Sequence, residues 1–392
     1  MKLVVSGGGT GGHVYPALTV IRVLREPKPV GVALPTLAPA DTLWVGSQGG
    51  IEKDLVERDG MEFVGLAVGG LRGMGLLVTI RNTLRMVGSV GRARSLLAQF
   101  KPNVVLVTGG YACVAVTLAA WSQRIPVVIY LPDIVPGLAI RFLSRFADKV
   151  AVTSEDSYHY FRREKVIVTG YPVRPDVYSM DRAQACHALS LDPEERTLLV
   201  FGGSRGARSI NRALVTGLHQ LLPISQVVHV SGRLDADWVA GMAKRLPESL
   251  RGRYHHHEYL HDMPQALAAA DLVVARAGAA TLGEFPAARL PAVLVPYPHA
   301  GQHQNSNAEY MARNGAARIL ADADLQERLV PTIVDLLEDE QVLADMRESA
   351  HAMARPDAAV MIAEQLWLLA RRRAIRASSL PGAGSSGEEA AS

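Results

Sequence analysis

The sequence predicts an α/β protein built from two Rossmann-like domains in tandem, each containing a parallel sheet. Short β-branched runs alternate with helical patterns along most of the 392 residues. Such alternation is typical of βα units whose strands are buried on both faces. Two of these runs lead directly into a glycine-rich loop and then a helical pattern, about 195 residues apart. Two similar halves therefore follow one another along the chain.

The predicted strands are apolar runs of four or five residues, separated by segments long enough to hold a helix. In the first half they lie at residues 2–6, 42–46, 104–108, 127–130 and 150–153. In the second half they lie at residues 197–201, 227–230, 272–275 and 292–296. Residues 254–260 also have an extended pattern.

Two prolines at residues 170–176 interrupt regular structure and mark the predicted join between the domains. We expect an N-terminal domain over residues 1–172 and a C-terminal domain over residues 173–355. A helix at 356–372 is expected to pack back on the N-terminal domain, and the small, polar residues 373–392 are expected to form a disordered tail. Four prolines between Glu26 and Asp41 indicate an irregular surface insertion.

Composition excludes several classes of protein. The net charge is +3, with 41 basic and 38 acidic residues, which is too balanced for a nucleic-acid-binding protein unless the basic residues cluster. Cys113 and Cys186 are the only cysteines, so a disulfide framework is not expected. The N-terminal apolar run is too short for a signal peptide, and the apolar stretch from Tyr111 to Trp121 is too short to span a membrane.

The first glycine loop, GGGTGG at residues 7–12, matches the G-x-G-x-x-G pattern. It places backbone N–H groups at a helix N-terminus, where an anion is favoured, and His13 follows directly. A nicotinamide cofactor would also need an acid at the end of the second strand, which ends in Trp44-Val-Gly-Ser-Gln48. The alternative is a purely structural loop that allows the helix and strand to pack closely.

Two motifs resemble metal sites. His257-Glu-Tyr-Leu-His261, with Glu284 further on, matches the zinc-protease pattern, but that chemistry requires a helix and this stretch looks extended. Asp235-Ala-Asp237 resembles a paired-carboxylate site, yet it follows no buried strand and is predicted to be a loop. We therefore expect metal-free chemistry on an anionic ligand, with no cofactor.

A basic segment runs from Arg72 to Lys101, with six cations and no acid between Leu71 and Lys101. Apolar residues are interleaved with these cations. Such a surface suits an anionic membrane, although an ordinary amphipathic helix with its apolar side in the core has the same pattern. Glycines at 73, 75, 88 and 91 argue against a continuous helix.

Several longer motifs occur in one order along the chain. They are GGTGGHVYP from Gly8, GGY at 109–111, GYPVR at 170–174, GGSRGA at 202–207, RAGAATLGE at 276–284, PYPH at 296–299 and QNSNA at 304–308. Over roughly residues 1–370 the chain resembles the MurG family of cell-wall N-acetylglucosaminyltransferases. That resemblance implies the GT-B fold, in which two Rossmann domains face a cleft. It also implies inverting transfer of GlcNAc from UDP-GlcNAc to undecaprenyl-diphosphate-MurNAc-pentapeptide, at the cytoplasmic face of the inner membrane.

The resemblance also implies roles for individual residues. His13 corresponds to the candidate base for the acceptor hydroxyl, and Ser204 and Arg174 would hold the diphosphate. Leu260 would read the uracil edge beside Met263, and Glu284 would accept hydrogen bonds from the ribose. Gln304 and Asn307 would contact the GlcNAc hydroxyls. The remaining expected substrate-binding residues are Thr10, Gly11, Gly12, Tyr111, Ala279, Ala280, Thr281, Leu282 and Gly283.

The chain departs from the family pattern mainly around the acceptor. Where the family commonly has His-Glu-Gln-Asn, this chain has Tyr130-Leu-Pro-Asp133. Asp133 either closes a Pro-Asp turn or has become the catalytic base and also contacts substrate. His303 replaces a family glutamine, and Tyr171 replaces a family asparagine.

Four alternatives stay open from the sequence. The first is a GT-B transferase with a UDP-sugar donor and a different polyprenyl-linked or glycolipid acceptor. The second is a UDP-GlcNAc 2-epimerase, which shares the two-domain fold. The third is a UDP-sugar-binding protein without activity. An NAD(P)-dependent oxidoreductase is the fourth, and the missing acid after the second strand argues against it.

Overall fold

A computed structural model describes residues 1–9, 11–27, 34–50, 52–68, 76–203, 206–298 and 303–378, with the backbone alone for residues 76–84 and 377–378. Thirteen strands lie in these ranges and form two parallel sheets. The first sheet has the order β3-β2-β1-β4-β5-β6-β7, and the second has the order β10-β9-β8-β11-β12-β13. The predicted fold class of two parallel α/β units is confirmed.

The strands of the first sheet are β1 (Leu3–Gly7), β2 (Thr42–Ser47), β3 (Glu62–Leu66), β4 (Val104–Gly109), β5 (Val127–Leu131), β6 (Lys149–Val152) and β7 (Val166–Val168). Those of the second are β8 (Thr197–Phe201), β9 (Gln226–Val230), β10 (Tyr254–His257), β11 (Leu272–Ala275), β12 (Ala292–Leu294) and β13 (Ala317–Ile319). All nine predicted runs are strands, with ends that agree or differ by at most two residues, and β10 lies in the predicted extended stretch.

The helices of the first half are α1 (Gly11–Arg25), α2 (Glu52–Arg58), α3 (Leu76–Phe100), α4 (Ala112–Ser122) and α5 (Leu138–Leu143). After the join come α6 (Pro175–Ser179), α7 (Arg182–Ala188), α8 (Arg208–Leu221), α9 (Ala236–Ala243), α10 (Glu248–Arg251), α11 (Met263–Ala269) and α12 (Glu284–Ala287). The remaining helices are α13 (His303–Arg313), α14 (Leu325–Glu338), α15 (Glu340–Met353) and α16 (Ala358–Ser378). No helix within the described ranges is both long and apolar enough to cross a bilayer.

Three strands were missed, and all three lie at sheet edges. They are β3, β7 and β13, whose residues are mostly exposed or half-buried. An edge strand has a neighbour on one side only, so it needs no continuous apolar run. The central strands, in contrast, are buried along nearly their whole length.

The basic segment forms one continuous helix where it is described. The backbone of α3 runs through Gly88 and Gly91, which have open space around their Cα atoms, so the expected break at these glycines does not occur. Residues 69–75, which include Arg72 and two of the four glycines, lie outside the described residues. Core side chains of α3, such as Ala93 and Leu97, pack on the first sheet.

The last helix, α16, returns to the first half of the molecule and contacts α1 and β4. Ile362, Ala363 and Leu366 are buried in the same core as the strand residue Leu106. The prediction of a disordered tail from residue 373 is wrong for its first residues, because the helix continues to Ser378. The Arg373 guanidinium donates a hydrogen bond to the Pro102 carbonyl of the first half. Residues 379–392 lie outside the described part of the chain.

Candidate active site

The candidate site lies where the carboxyl ends of the two sheets meet, which is where ligands bind in open parallel α/β folds. Helix α13 of the second half contacts the segment after β5 of the first half. The Asn307 side-chain amide donates to Oδ1 of Asp133 at 2.8 Å, and His303 Nδ1 lies 2.8 Å from the Val135 carbonyl oxygen. Residues of both halves therefore lie together at one cleft.

The first cluster lies in the N-terminal half and contains His13, which follows the first glycine loop at the start of α1. Its carbonyl accepts a hydrogen bond from the Thr108 hydroxyl at 2.7 Å. A Cβ atom at Gly109 would lie only 3.0 Å from His13 Nε2, so the imidazole rests on the bare backbone of that glycine. Burial lowers the pKa of His13 below 6.5, Asp133 raises it and His303 lowers it. The lowered pKa favours the neutral imidazole, which is the form that can accept a proton.

A buried glutamate beneath the first glycine loop was missed in the sequence. Glu52, on α2, is fully buried, and its carboxylate accepts hydrogen bonds from the Ser47 N–H at 2.9 Å and the Gly9 N–H at 3.4 Å. Cβ atoms at Gly8 or Gly50 would come within 2.4 Å of this carboxylate. The glycines of the loop are therefore needed partly to make room for Glu52. The available signal was an acid two residues after the glycine pair at residues 49 and 50.

The second cluster lies in the C-terminal half and surrounds Glu284, the first residue of α12. Burial raises the pKa of Glu284 from 4.5 to about 7, while Arg174 lowers it and Asp176 raises it. The Arg174 guanidinium lies 6.0 Å from the ring centre of Tyr15 and 3.9 Å from Asp176. A carboxyl group with a pKa near 7 beside a guanidinium can change charge when a ligand binds.

Tyr171 lies between the two clusters and is almost completely buried. Its hydroxyl donates to the Gly12 carbonyl at 3.4 Å, and its ring packs so closely on Gly283 that a Cβ there would lie 2.4 Å from Cδ1. Burial raises the pKa of Tyr171 well above 10, and Glu284 and Asp133 both add to that increase. The first glycine loop and the turn before α12 thus contact the same side chain.

Several predicted site residues lie around these clusters. Residues 279–282 form a 3₁₀ turn directly before Gly283. Leu260 and Met263 are partly buried against the core, and the Gln304 side-chain oxygen accepts from the Tyr297 N–H at 2.9 Å. Tyr111 is exposed at the start of α4. Gly11 and Gly12 begin α1, whereas Thr10 and Ser204 lie outside the described residues.

Known protein families match both halves of the chain. The model of the glycosyltransferase family 28 N-terminal domain matches residues 3–152, and that of the C-terminal domain of the same family matches residues 197–362. The chain belongs to glycosyltransferase family 28.

Individual relatives agree with this family 28 assignment. A Roseiflexus sp. (strain RS-1) protein named UDP-N-acetylglucosamine--N-acetylmuramyl-(pentapeptide) pyrophosphoryl-undecaprenol N-acetylglucosamine transferase is 42% identical over 94% of both chains. MurG of Acinetobacter baumannii has a TM-score of 0.71 at 24% identity, covering 94% of this chain and 99% of that one. A UDP-GlcNAc 2-epimerase from Neisseria meningitidis has a TM-score of 0.64 at 16% identity, covering 94% and 100%. At these identities the two structures establish the GT-B fold alone.

The two motifs that resemble metal sites do not have the geometry that such sites require. His257 ends strand β10 and His261 lies beyond it, so the two imidazoles do not share a helical face. Asp235 is buried in the turn before α9, where it accepts hydrogen bonds from Arg208 and Asn211. Asp237 lies on the exposed side of α9. The two aspartates therefore do not form a paired-carboxylate site.

Tyr130, one of the departures from the family pattern, is also buried. Its hydroxyl lies 3.1 Å from the Thr153 hydroxyl, and its ring contacts Tyr171 edge-on at 6.4 Å between ring centres. Tyr130 is therefore a buried packing residue of the loop that carries Asp133. Asp133, three residues further on, is the half-buried ionisable group of this loop and lies at the cleft.

Proposed function

We propose that this chain transfers GlcNAc from UDP-GlcNAc to undecaprenyl-diphosphate-MurNAc-pentapeptide with inversion, in peptidoglycan synthesis. The 42% identity to a relative named for this reaction, over 94% of both chains, carries the proposal. The arrangement of the cleft supports it, because a candidate base on one half faces a candidate UDP-binding turn on the other. No cofactor enters the proposed reaction.

The donor would bind to the second half. Glu284 would accept hydrogen bonds from the ribose hydroxyls, and the turn at residues 279–283 would place backbone N–H groups beside the sugar. Leu260 would read the uracil edge next to Met263. Arg174, with the N-terminus of α8 and with Ser204, would hold the diphosphate. Gln304 would contact a hydroxyl of GlcNAc.

The transfer itself would be a single displacement. The acceptor hydroxyl oxygen forms a bond to C1 of GlcNAc as the bond from C1 to the diphosphate oxygen breaks, and UDP leaves with the electron pair. The hydroxyl proton passes to His13 or Asp133, which both lie on the acceptor side. Negative charge develops on the departing diphosphate, and the positive charge of Arg174 stabilises it. Thr10, Gly11, Gly12 and Tyr111 would line the acceptor.

The decisive assay measures UDP release from UDP-GlcNAc with a short-chain, soluble analogue of the lipid acceptor. We expect release that depends on the acceptor and continues in EDTA. Release without acceptor, together with a ManNAc product, would favour a 2-epimerase. UDP-GlcNAc binding without turnover on this acceptor, but with turnover on another polyprenyl-linked sugar, would keep the donor half of the proposal and replace the acceptor.

We also propose that the first half binds the cytoplasmic face of the inner membrane as a peripheral protein. An aromatic patch formed by Trp121, Phe142 and Phe146 supports this location. Trp121 and Phe142 are 57% and 44% exposed, and both rings contact Phe146 edge-on. Arg145 lies 5.8 Å from the Phe142 ring centre, and α3 and α4 are joined by a hydrogen bond from Arg94 to Ser122. Exposed aromatic rings beside cations suit an anionic lipid surface.

Binding to phosphatidylglycerol vesicles tests this location. Arg141 is an exposed residue of α5 next to Phe142. Changing Arg141 and Arg145 to Glu should weaken sedimentation with vesicles at least about tenfold, and added salt should weaken the binding of the parent. Changing Arg212 and Arg318 to Glu alters the net charge equally on the second half and should have little effect. Equal losses in both variants would show a general charge effect and would contradict the proposed face.

A further inference from the structure

Asn307 is completely buried at the contact between the two halves, and its side chain makes three hydrogen bonds. The amide nitrogen donates to Asp133 Oδ1 at 2.8 Å and to the Ala277 carbonyl at 3.1 Å. The amide oxygen accepts from the Ile134 N–H at 3.1 Å. Both donors of this amide are therefore in use. A sugar hydroxyl could therefore bond to Asn307 only by donating to the amide oxygen. The buried side chain would first have to become accessible.

This geometry differs from the role that the family resemblance implies for Asn307. A residue that holds a GlcNAc hydroxyl should face the open cleft, whereas Asn307 faces the loop that carries Asp133. Two of its bonds go to consecutive residues of that loop, one to the carboxylate and one to the next backbone N–H. Such a pair of bonds fixes both the backbone and the side-chain orientation of Asp133.

We propose that Asn307 is a positioning residue that orients the Asp133 carboxylate as the proton acceptor of the transfer. Asn307 belongs to the donor half and Asp133 to the acceptor half, so the base is oriented only when the two halves are closed. The inference rests on the proposed transferase function. In this arrangement the Asn307 amide holds Oδ1 of Asp133, and Oδ2 of Asp133 takes the proton of the acceptor hydroxyl. The hydroxyl oxygen then bonds to C1 of GlcNAc as UDP departs.

The same helix makes a second contact with this loop, which supports the assignment. His303, in the first turn of α13, lies 2.8 Å from the Val135 carbonyl. Residues 133, 134 and 135 are therefore all hydrogen-bonded to α13, and Pro132 restricts the backbone just before them. The loop thus has one well-defined orientation relative to the donor-side helix.

The test separates donor binding from turnover. Asn307→Leu keeps the size of the side chain but removes its hydrogen bonds, and should lower kcat about a hundredfold, the scale of a misplaced catalytic group. The Kd for UDP-GlcNAc, measured by calorimetry, should change less than about threefold, since no sugar contact is lost. Asn305→Leu on the exposed side of α13 is the matched control and should keep the parent kcat.

Asp133→Asn is the second arm. It retains a group that can pair with Asn307 but removes the base, so kcat should fall by about 10²–10⁴-fold. If the two residues act as one unit, the double variant Asn307→Leu/Asp133→Asn should be no slower than Asp133→Asn alone. Should Asn307→Leu fold poorly, Asn307→Ser takes its place, because serine is too short to reach Asp133.

Each outcome has a separate meaning. A tenfold weaker Kd for UDP-GlcNAc with an unchanged kcat at saturating donor would make Asn307 a sugar ligand and overturn the inference. Full turnover by Asp133→Asn would also overturn it. If the parent protein itself shows no acceptor-dependent UDP release, the proposed function fails instead.

Discussion

The donor affinity should depend on pH through Glu284. Burial raises the pKa of this carboxyl group to about 7 in the unliganded protein. Ribose hydroxyls donate hydrogen bonds, and a carboxylate accepts them better than a protonated carboxyl group does. With Glu284 bound to the ribose, as proposed above, UDP-GlcNAc favours the ionised form and should lower the pKa of Glu284 toward its ordinary value of 4.5.

The direction and size of the effect follow from this pKa. At about pH 6 roughly a tenth of the Glu284 side chains are ionised in the free protein, and at about pH 8 roughly nine-tenths are. The Kd for UDP-GlcNAc should thus fall about tenfold as the pH rises from about 6 to about 8, a difference of about 1.4 kcal/mol. The affinity for UDP-GlcNAc increases with pH because binding requires Glu284 to lose its proton, and at the higher pH most Glu284 side chains have already lost it.

Isothermal titration calorimetry at both pH values is the measurement. Glu284→Gln should bind with a nearly pH-independent Kd, close to the parent value at the lower pH, since glutamine cannot ionise. Glu338→Gln, an exposed glutamate on α14, is the matched control and should keep the parent pH dependence. The reasoning is refuted if Glu284→Gln shows the same tenfold change, because another group would then carry the linkage.

Three further predictions concern packing and reactivity. Gly283→Ala should lower the free energy of unfolding by about 1–3 kcal/mol in urea titrations, because its Cβ would clash with the Tyr171 ring; an unchanged midpoint would contradict this contact. Tyr254→Phe removes the hydroxyl that lies 2.7 Å from Nδ1 of buried His229 and should cost about 1–3 kcal/mol, with no loss expected if water reaches that nitrogen. Cys113, whose thiol pKa burial raises to about 11, should react with DTNB at pH 8 only after denaturation, and rapid reaction in the native protein would contradict its burial.

The sequence was most informative where one local pattern determines the structure. Buried central strands need continuous apolar runs, and the glycine loops need bare backbone before a helix, so both could be read directly. The edge strands β3, β7 and β13 lack that pattern because one side of each faces no neighbouring strand. The family resemblance supplied the candidate roles of Glu284 and His13, and their neighbours emerged only in three dimensions.

The rest of the site depends on pairings between distant residues. Asp133 and Asn307 are 174 residues apart in the chain, and neither residue type indicates the other as its partner. Tyr171 reads as a simple replacement of an asparagine, yet its ring fills the space that Gly283 leaves. Glu52 reads as an ordinary acid in the first turn of a helix, whereas its carboxylate is enclosed by glycines from two separate loops.

The return of α16 to the first half has a mechanical consequence. The chain crosses between the halves once after β7, at Gly170, and again between α15 and α16, at Arg355. These crossings touch, since a Cβ at Gly170, whose φ is +85°, would lie 2.4 Å from the Arg355 Cβ. Because the two connections lie side by side, we expect any relative motion of the halves to be a rotation about that point. In the proposed reaction, UDP-GlcNAc and the lipid acceptor are then expected to enter the cleft, and UDP to leave it, on the side away from these connections.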